Sequence, residues 1–146
     1  MKCFYHHDMD GKCAGAIVKH MFPECEMFHI DYKDRFPIEI IQLDEIIYIV
    51  DFSIFPNEMR ILLQITKNVH WIDHHKTSIE RYKDFEHDIQ GLRVLDIPSG
   101  CECTWKYIHP NKEIPFGVQL IGDRDTWTWK YKNQTKYFWC PNNKNQ

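Results

Sequence analysis

The chain is poor in glycine, with six in 146 residues and no two adjacent, so it offers no Gly-rich loop. No apolar run approaches the roughly 20 residues of a membrane span, and no membrane partner is expected. The start, Met1-Lys2-Cys3-Phe4-Tyr5, runs straight into polar residues and lacks the apolar core of a signal peptide. Basic charge is not in excess. The formal net charge is −3 with nine His neutral, whereas a groove for long duplex nucleic acid usually brings a basic surplus. Cysteines at 3, 13, 25, 101, 103 and 140 form neither a disulfide framework nor a paired CxxC zinc site, and Cys101-x-Cys103 is only a weak metal hint. They read as plain thiols in a reducing cytoplasm, the expected location. No internal repeat and no linker is visible.

What remains is ordinary globular composition, 43% hydrophobic and 27% charged. A chain of this length can bury roughly 70% of its unfolded surface without staples. One domain is expected over residues 1–138, followed by a polar tail at 139–146.

Apolar patterning places the elements. Residues 2–6 read as a first strand, followed by a polar turn, His7-Asp8-Met9-Asp10-Gly11. Cys13, Ala14, Ile17, Val18, Met21 and Phe22 recur at helical spacing between Lys12 and the stop at Pro23. Glu26–Ile30 is a weaker strand. Ile46–Val50 is an unbroken β-branched and aromatic run that suits a strand buried on both faces. Pro56 suits the first turn of a helix striped by Met59, Leu62 and Leu63. Val69–Ile72 reads as a strand, 77–85 as a helix and 92–97 as a further strand. Ser99 can cap a helix from Gly100 to His109. The apolar segment 116–121 then leads into Gly122-Asp123-Arg124-Asp125. Alternation of strands and helices predicts an α/β fold, a mostly parallel sheet with helices on both faces.

The acidic and imidazole groups gather where strands end. Asp8 and Asp10 follow the first strand, Asp51 the buried run, and Asp73, His74 and His75 the next strand; Asp123 and Asp125 follow the last apolar segment. In an open parallel sheet such exits converge on one crevice. Crowded carboxylates need a counter-charge, and two divalent cations balance Asp8, Asp10, Asp51 and Asp125. Imidazole among oxygen ligands favours Mn²⁺, Fe²⁺ or Co²⁺ over an all-oxygen Mg²⁺ or Ca²⁺ shell. A lone strand-end Asp is most often a turn former or helix cap. His20, His29, His70, His87 and His109 read as surface or satisfied core residues. The clustering of His-x-Asp-x-Asp-Gly, Asp51 and Asp-His-His is what sets the others apart.

These segments resemble the DHH phosphoesterase superfamily. HHDMDG (6–11), IVDFS (49–53), IDHHK (72–76) and GDRDTW (122–127) resemble its four motifs in order, and Pro98-Ser99-Gly100 leading into Cys103-Thr104-Trp105 resembles its helix between the third and fourth. The resemblance implies two-metal hydrolysis of a phosphodiester or phosphoanhydride, commonly with Mn²⁺, Mg²⁺ or Co²⁺ being alternatives. It implies that His6 and Asp8 bind one ion, that Asp10, His74 and a fourth-motif Asp bind the other, and that Asp51 bridges them. Asp125, followed by Thr126, is the preferred fourth-motif ligand and Asp123 the reserve. His75 is implied to face the substrate phosphate, with Asp73 supporting the loop or a ligand His. Arg124 could clamp a phosphate or pair with a neighbouring Asp.

Relatives usually carry a second, C-terminal domain with a Gly-rich motif, which this sequence does not show. The expected substrate is therefore a small nucleotide or a short single-stranded oligonucleotide. Trp127, Trp129 and Tyr131 could stack a base, although core packing is the blander role for them. A homodimer laying Trp127–Trp139 of a neighbour across the crevice is an alternative repair. Competing readings are an inactive or regulatory metal-binding remnant, a manganese-type pyrophosphatase, and a signalling receiver domain. The last fits Asp8, Asp10 and Asp51 but needs a hydroxyl residue and a Lys where Asp73 and Asp96 stand.

Overall fold

The computed structural model describes residues 1–139. Strands β1 (Lys2–His6), β2 (Glu26–Ile30), β3 (Ile47–Val50) and β4 (Val69–Ile72) form one sheet in the order β2-β1-β3-β4, parallel at every pairing. The helices are α1 (Met9–Met21), α2 (Pro56–Ile65), α3 (Lys76–Arg81), α4 (Gly100–Ile108), α5 (Phe116–Asp125) and α6 (Asn133–Trp139). The fold is α/β.

Strand alternation divides the core between the two faces. Phe4, Ile47, Ile49, Val69 and Trp71 face α2, which covers them with Met59, Leu62 and Leu63. Cys3, Tyr48, Val50 and Ile72 face the other way, against Ala14, Ile17 and Val18 of α1, Cys101 and Cys103 of α4, and Val118 and Ile121 of α5. Every residue of β3 is buried, as its unbroken apolar run requires. Among the described residues no helix is long and apolar enough to cross a membrane.

Five expectations are corrected. Helix α1 begins at Met9, not Lys12, because the Asp8 carboxylate accepts the Gly11 amide at 2.8 Å and caps it; the expected polar turn is the first turn of the helix. The segment 92–97 makes no strand, only isolated bridges at Gln90 and Arg93. The Trp71 carbonyl that a fifth strand would use accepts instead from the Arg93 guanidinium at 2.7 Å. Residues 116–121 are helical and continue as α5 through Asp125, so the last carboxylates arrive from a helix rather than a strand end. The helix expected over 77–85 is regular only over Lys76–Arg81 and runs on as turns to Phe85. Trp139, assigned to the polar tail, belongs to α6; residues 140–146 of that tail lie outside the described residues.

Candidate metal centre

Parallel pairing aligns the carboxyl ends. Tyr5 pairs with Val50, and Val50 with Ile72, so the chain leaves β1, β3 and β4 along one edge of the sheet. The connections run outward from β1 toward β2 on one side and from β3 toward β4 on the other, which makes the β1–β3 boundary the switch point where α/β sheets open a crevice. His6, Asp8 and Asp10 flank that boundary from β1 and Asp51 from β3.

Among the described residues, four overlapping ligand-competent groups lie at this edge, among them Asp51 with Asp73, His74 and His75, and His6 with His7 and Asp31; two of the four combine the carboxylates after β1 with Asp51 and His74. His6, Asp8 and Asp51 form one of these two, and Asp10, His74 and Asp125 the other; in each, one potential ligand atom per residue lies within 4.8 Å of the others. Asp51 and His74 join them, with Asp51 Oδ1 3.3 Å from His74 Nε2, which is 3.6 Å from Asp10 Oδ2. Asp51 Oδ1 and His74 Nε2 are buried and make no hydrogen bond. Buried polar atoms are almost always satisfied. Two unpartnered atoms facing each other between two carboxylate–imidazole groups are what a cation would satisfy, and the donor set fits divalent Mn²⁺ or its neighbours.

Local structure holds these groups in place. Asp51 sits at φ 52°, the left-handed region that a non-glycine residue rarely adopts. Gly100 accommodates it, since a Cβ there would stand 2.3 Å from Asp51 Oδ1. The first amides of α4, of Gly100 and Cys101, donate to the two oxygens of Asp10 at 2.7 and 2.8 Å. Asp10 thus rests at the positive end of that helix.

The electrostatics follow from crowding. Burial, then the neighbouring Asp10 and Asp8, push the Asp51 carboxyl well above its usual range. Burial and the same two carboxylates push Asp125 up. Burial opposes the Asp8 charge as well, but His6, at 2.8 Å, and the Gly11 amide bring its carboxyl down to about 2. His6 is raised in return, chiefly by that contact with Asp8.

Asp73 is wholly buried and lies within ligand distance of Asp51, His74 and His75, but its oxygens are taken up by hydrogen bonds within the protein. It accepts from the backbone amides of His74 (2.8 Å) and His75 (3.3 Å), contacts the His75 ring at Nδ1 (2.6 Å), and takes the Ser53 hydroxyl. The His75 imidazole is raised chiefly by the Asp73 hydrogen bond and remains partly exposed at the rim. Asp73 therefore holds the loop at the amides of both His74 and His75, and the imidazole it contacts is that of His75.

The structure separates the two fourth-motif carboxylates. Asp125 reaches Asp10 and His74. Asp123 is committed elsewhere, to the amides of Lys130 (2.7 Å) and Tyr131 (3.3 Å) and to the Thr135 hydroxyl. Burial works against its charge, yet these donors hold its carboxyl below the usual range. Arg124 is engaged by aromatic rings. Its guanidinium lies over Trp127 at 4.2 Å, with Trp129 and Trp139 at 5.5 and 5.9 Å, and makes no ion pair with Asp123 or Asp125.

Sequence reading passed over three contributors. Ser53 lies inside the second motif, and its hydroxyl to Asp73 and its bond from Trp71 Nε1 (2.9 Å) tie β3 to β4. Gly100 was visible only as a helix start. Tyr32 stacks near His6, ring centroids 5.3 Å apart, and its position just beyond β2, another strand exit on the same edge, was the available signal.

No family model matches the chain. It is 28% identical over 123 residues to the uncharacterized protein R106 of Acanthamoeba polyphaga mimivirus, a match covering 82% of this chain and 28% of that protein. Its fold superposes on the crystal structure of an uncharacterized protein from Helicobacter pylori G27 with a TM-score of 0.71 and 16% identity, covering 92% of this chain and 46% of that one. The chain thus spans less than half of either relative, and the structural match independently supports the α/β fold.

Proposed function

We propose that this chain is a metal-dependent phosphoesterase that hydrolyses a phosphodiester of a small nucleotide or short oligonucleotide. One observation carries the reading: the buried, unpartnered Asp51 Oδ1 and His74 Nε2 sit between two carboxylate–imidazole groups. His6, Asp8 and Asp51 would hold one divalent ion, and Asp10, His74, Asp125 and Asp51 the other. When bound, such a pair supplies an activated water and neutralises charge on a phosphoryl oxygen. Asp51 places its carboxylate between the two groups. Asp73, itself fixed by Ser53, holds His75 at Nδ1 and favours the imidazolium. From the partly exposed rim, that ring can donate to a phosphate or a leaving oxygen.

The test is a hydrolysis screen with Mn²⁺ over a short oligoribonucleotide, linear and cyclic dinucleotides, a simple aryl phosphodiester and pyrophosphate. Turnover of diesters, lost with EDTA and restored by Mn²⁺, is the expected result. Mn²⁺ uptake with no turnover on any substrate would make the chain a metal-binding module, and preference for pyrophosphate would move it to anhydride chemistry.

A further inference from the structure

Beside the cluster opens a cavity of about 420 Å³, within the range of small-molecule sites. Its floor is apolar, built on the buried Phe36, Phe52 and Ile54. Tyr32 and Phe55 wall it and are 44% and 51% exposed. Asp34, Asn57 and Glu58 line its polar side, and among the described residues no basic side chain lines it.

The cavity and the cluster share a wall. Phe52 and Ser53 directly follow Asp51 in the chain, and the Tyr32 ring lies 5.3 Å from that of His6 and 6.3 Å from that of His75. Tyr32 also packs on Phe52 at 4.7 Å, and the Arg81 guanidinium lies over the Phe55 ring at 4.5 Å, so both walls are braced. A phosphate is repelled from a cavity lined by Asp34 and Glu58, but a neutral flat ring is not.

We propose that this cavity is the nucleobase pocket of the site, and that it prefers bases carrying an exocyclic amine. The inference rests on the phosphoesterase reading for its placement of the phosphate at Asp51 and His74. The walls supply stacking, which every base accepts. The rim supplies the preference. Asp34 uses one carboxylate oxygen on the Asp31 amide (2.8 Å), and Glu58 uses one on the Phe55 amide (3.0 Å). The second oxygen of each is an acceptor for an amino group. Adenine and cytosine present one; uracil presents carbonyl oxygens instead, which face these carboxylates unfavourably. Asn57 can both donate and accept at the same edge.

Calorimetric titration of the Mn²⁺-loaded chain with AMP, CMP, UMP and ribose 5-phosphate tests it. AMP and CMP are expected to bind about tenfold more tightly than UMP or ribose 5-phosphate. Tyr32→Ala should bring AMP to the level of ribose 5-phosphate, whereas Tyr32→Phe keeps the stacking ring and the affinity. Asp34→Asn combined with Glu58→Gln keeps both backbone caps and should erase the gap between AMP and UMP. Equal affinities for all four ligands, or failure of AMP and CMP to bind, would overturn the pocket, as would AMP binding unaffected by Tyr32→Ala. Methyl p-nitrophenyl phosphate, a diester with no base, reports on the metal centre separately. If it is cleaved while no base preference exists, the pocket alone is wrong. If it is not cleaved while the AMP preference stands, the phosphoesterase reading fails and the pocket remains.

Discussion

At the scale of single residues, Asp51 meets the severest conditions in the molecule. It is 1% exposed, left-handed in φ, and crowded by Asp8 and Asp10. Without a cation its charge is a liability, because an ionised carboxylate in that setting lacks a partner. Asp51→Asn should therefore leave the melting temperature in EDTA unchanged or raised, abolish the stabilisation that Mn²⁺ gives, and abolish hydrolysis. A marked fall of melting temperature in EDTA would show that Asp51 is structural. His75 is expected to behave differently, since its ring is held at Nδ1 by Asp73. His75→Ala should keep Mn²⁺ binding and lower turnover by about 10²–10⁴-fold, the usual weight of a general acid. The Asp73 contact raises the His75 imidazole, so a rate that needs the imidazolium falls as pH climbs through that raised value. Asp73→Asn should move the fall to lower pH, and a pH–rate profile unmoved by that change would remove His75 from proton transfer.

At the scale of elements, α4 is the support of the site. Its first two amides hold Asp10, and its first residue leaves room for Asp51. Gly100→Ala should displace the Asp51 carboxylate and weaken Mn²⁺ binding by about 10–100-fold, the scale seen when groups supporting metal ligands are altered. Calorimetric Mn²⁺ titration reads this directly, and wild-type affinity would mean that the loop yields without cost. Legibility in the sequence also divides by element. Strands β1, β3 and β4 could be read because burial on both faces demands apolar runs that stop abruptly at polar exits, and those exits carry His6, Asp8, Asp51 and His74. Helix α5 could not be read in the same way. An apolar stretch of six residues before Gly122 suits a buried strand or a buried helix equally, and only packing against α1 and α4 decides. The segment 92–97 stops at isolated bridges beside β4, where Gly91 turns at φ 126° and the Arg93 guanidinium takes the Trp71 carbonyl. Such long-range capture leaves no periodic trace. The cavity beside Tyr32 was illegible for a related reason: its walls come from segments after β2 and β3 that only the sheet order brings together.

At the scale of the whole molecule, stability and metal binding should be linked through pH. Asp51, Asp125 and Glu102 are all raised in the folded chain, first by burial and then by neighbouring carboxylates. A carboxyl raised on folding favours the fold while protonated, and that contribution is lost as pH rises through its folded value. His6 and His75, raised by Asp8 and Asp73, act in the same direction, since their pairing favours the fold only while they are protonated. His70 and His109, both lowered first by burial, act oppositely and gain as pH rises. The lowered carboxylates Asp8, Asp73, Asp123, Glu45 and Glu86 have given their full contribution once pH exceeds the unfolded carboxylate range, so they do not alter the trend above about pH 5. Asp51, raised well above its usual range, stands with His6 and His75 against His70 and His109, and the metal-free chain should melt at progressively lower temperature as pH is raised from 5 to 8. Mn²⁺ reverses the argument, because it binds ionised carboxylates and neutral imidazoles and competes with the protons that otherwise stabilise them. At a hundredfold excess over its dissociation constant it should add about 2.7 kcal/mol, or roughly 5–10 °C in a domain of this size, and add most at the upper end of the pH range. Melting curves at several pH values, with EDTA and with Mn²⁺, read both trends from one preparation. A metal-free chain whose stability climbs steadily to pH 8, with no shift on adding Mn²⁺, would mean that these carboxylates are relieved within the protein and are not arranged for a cation.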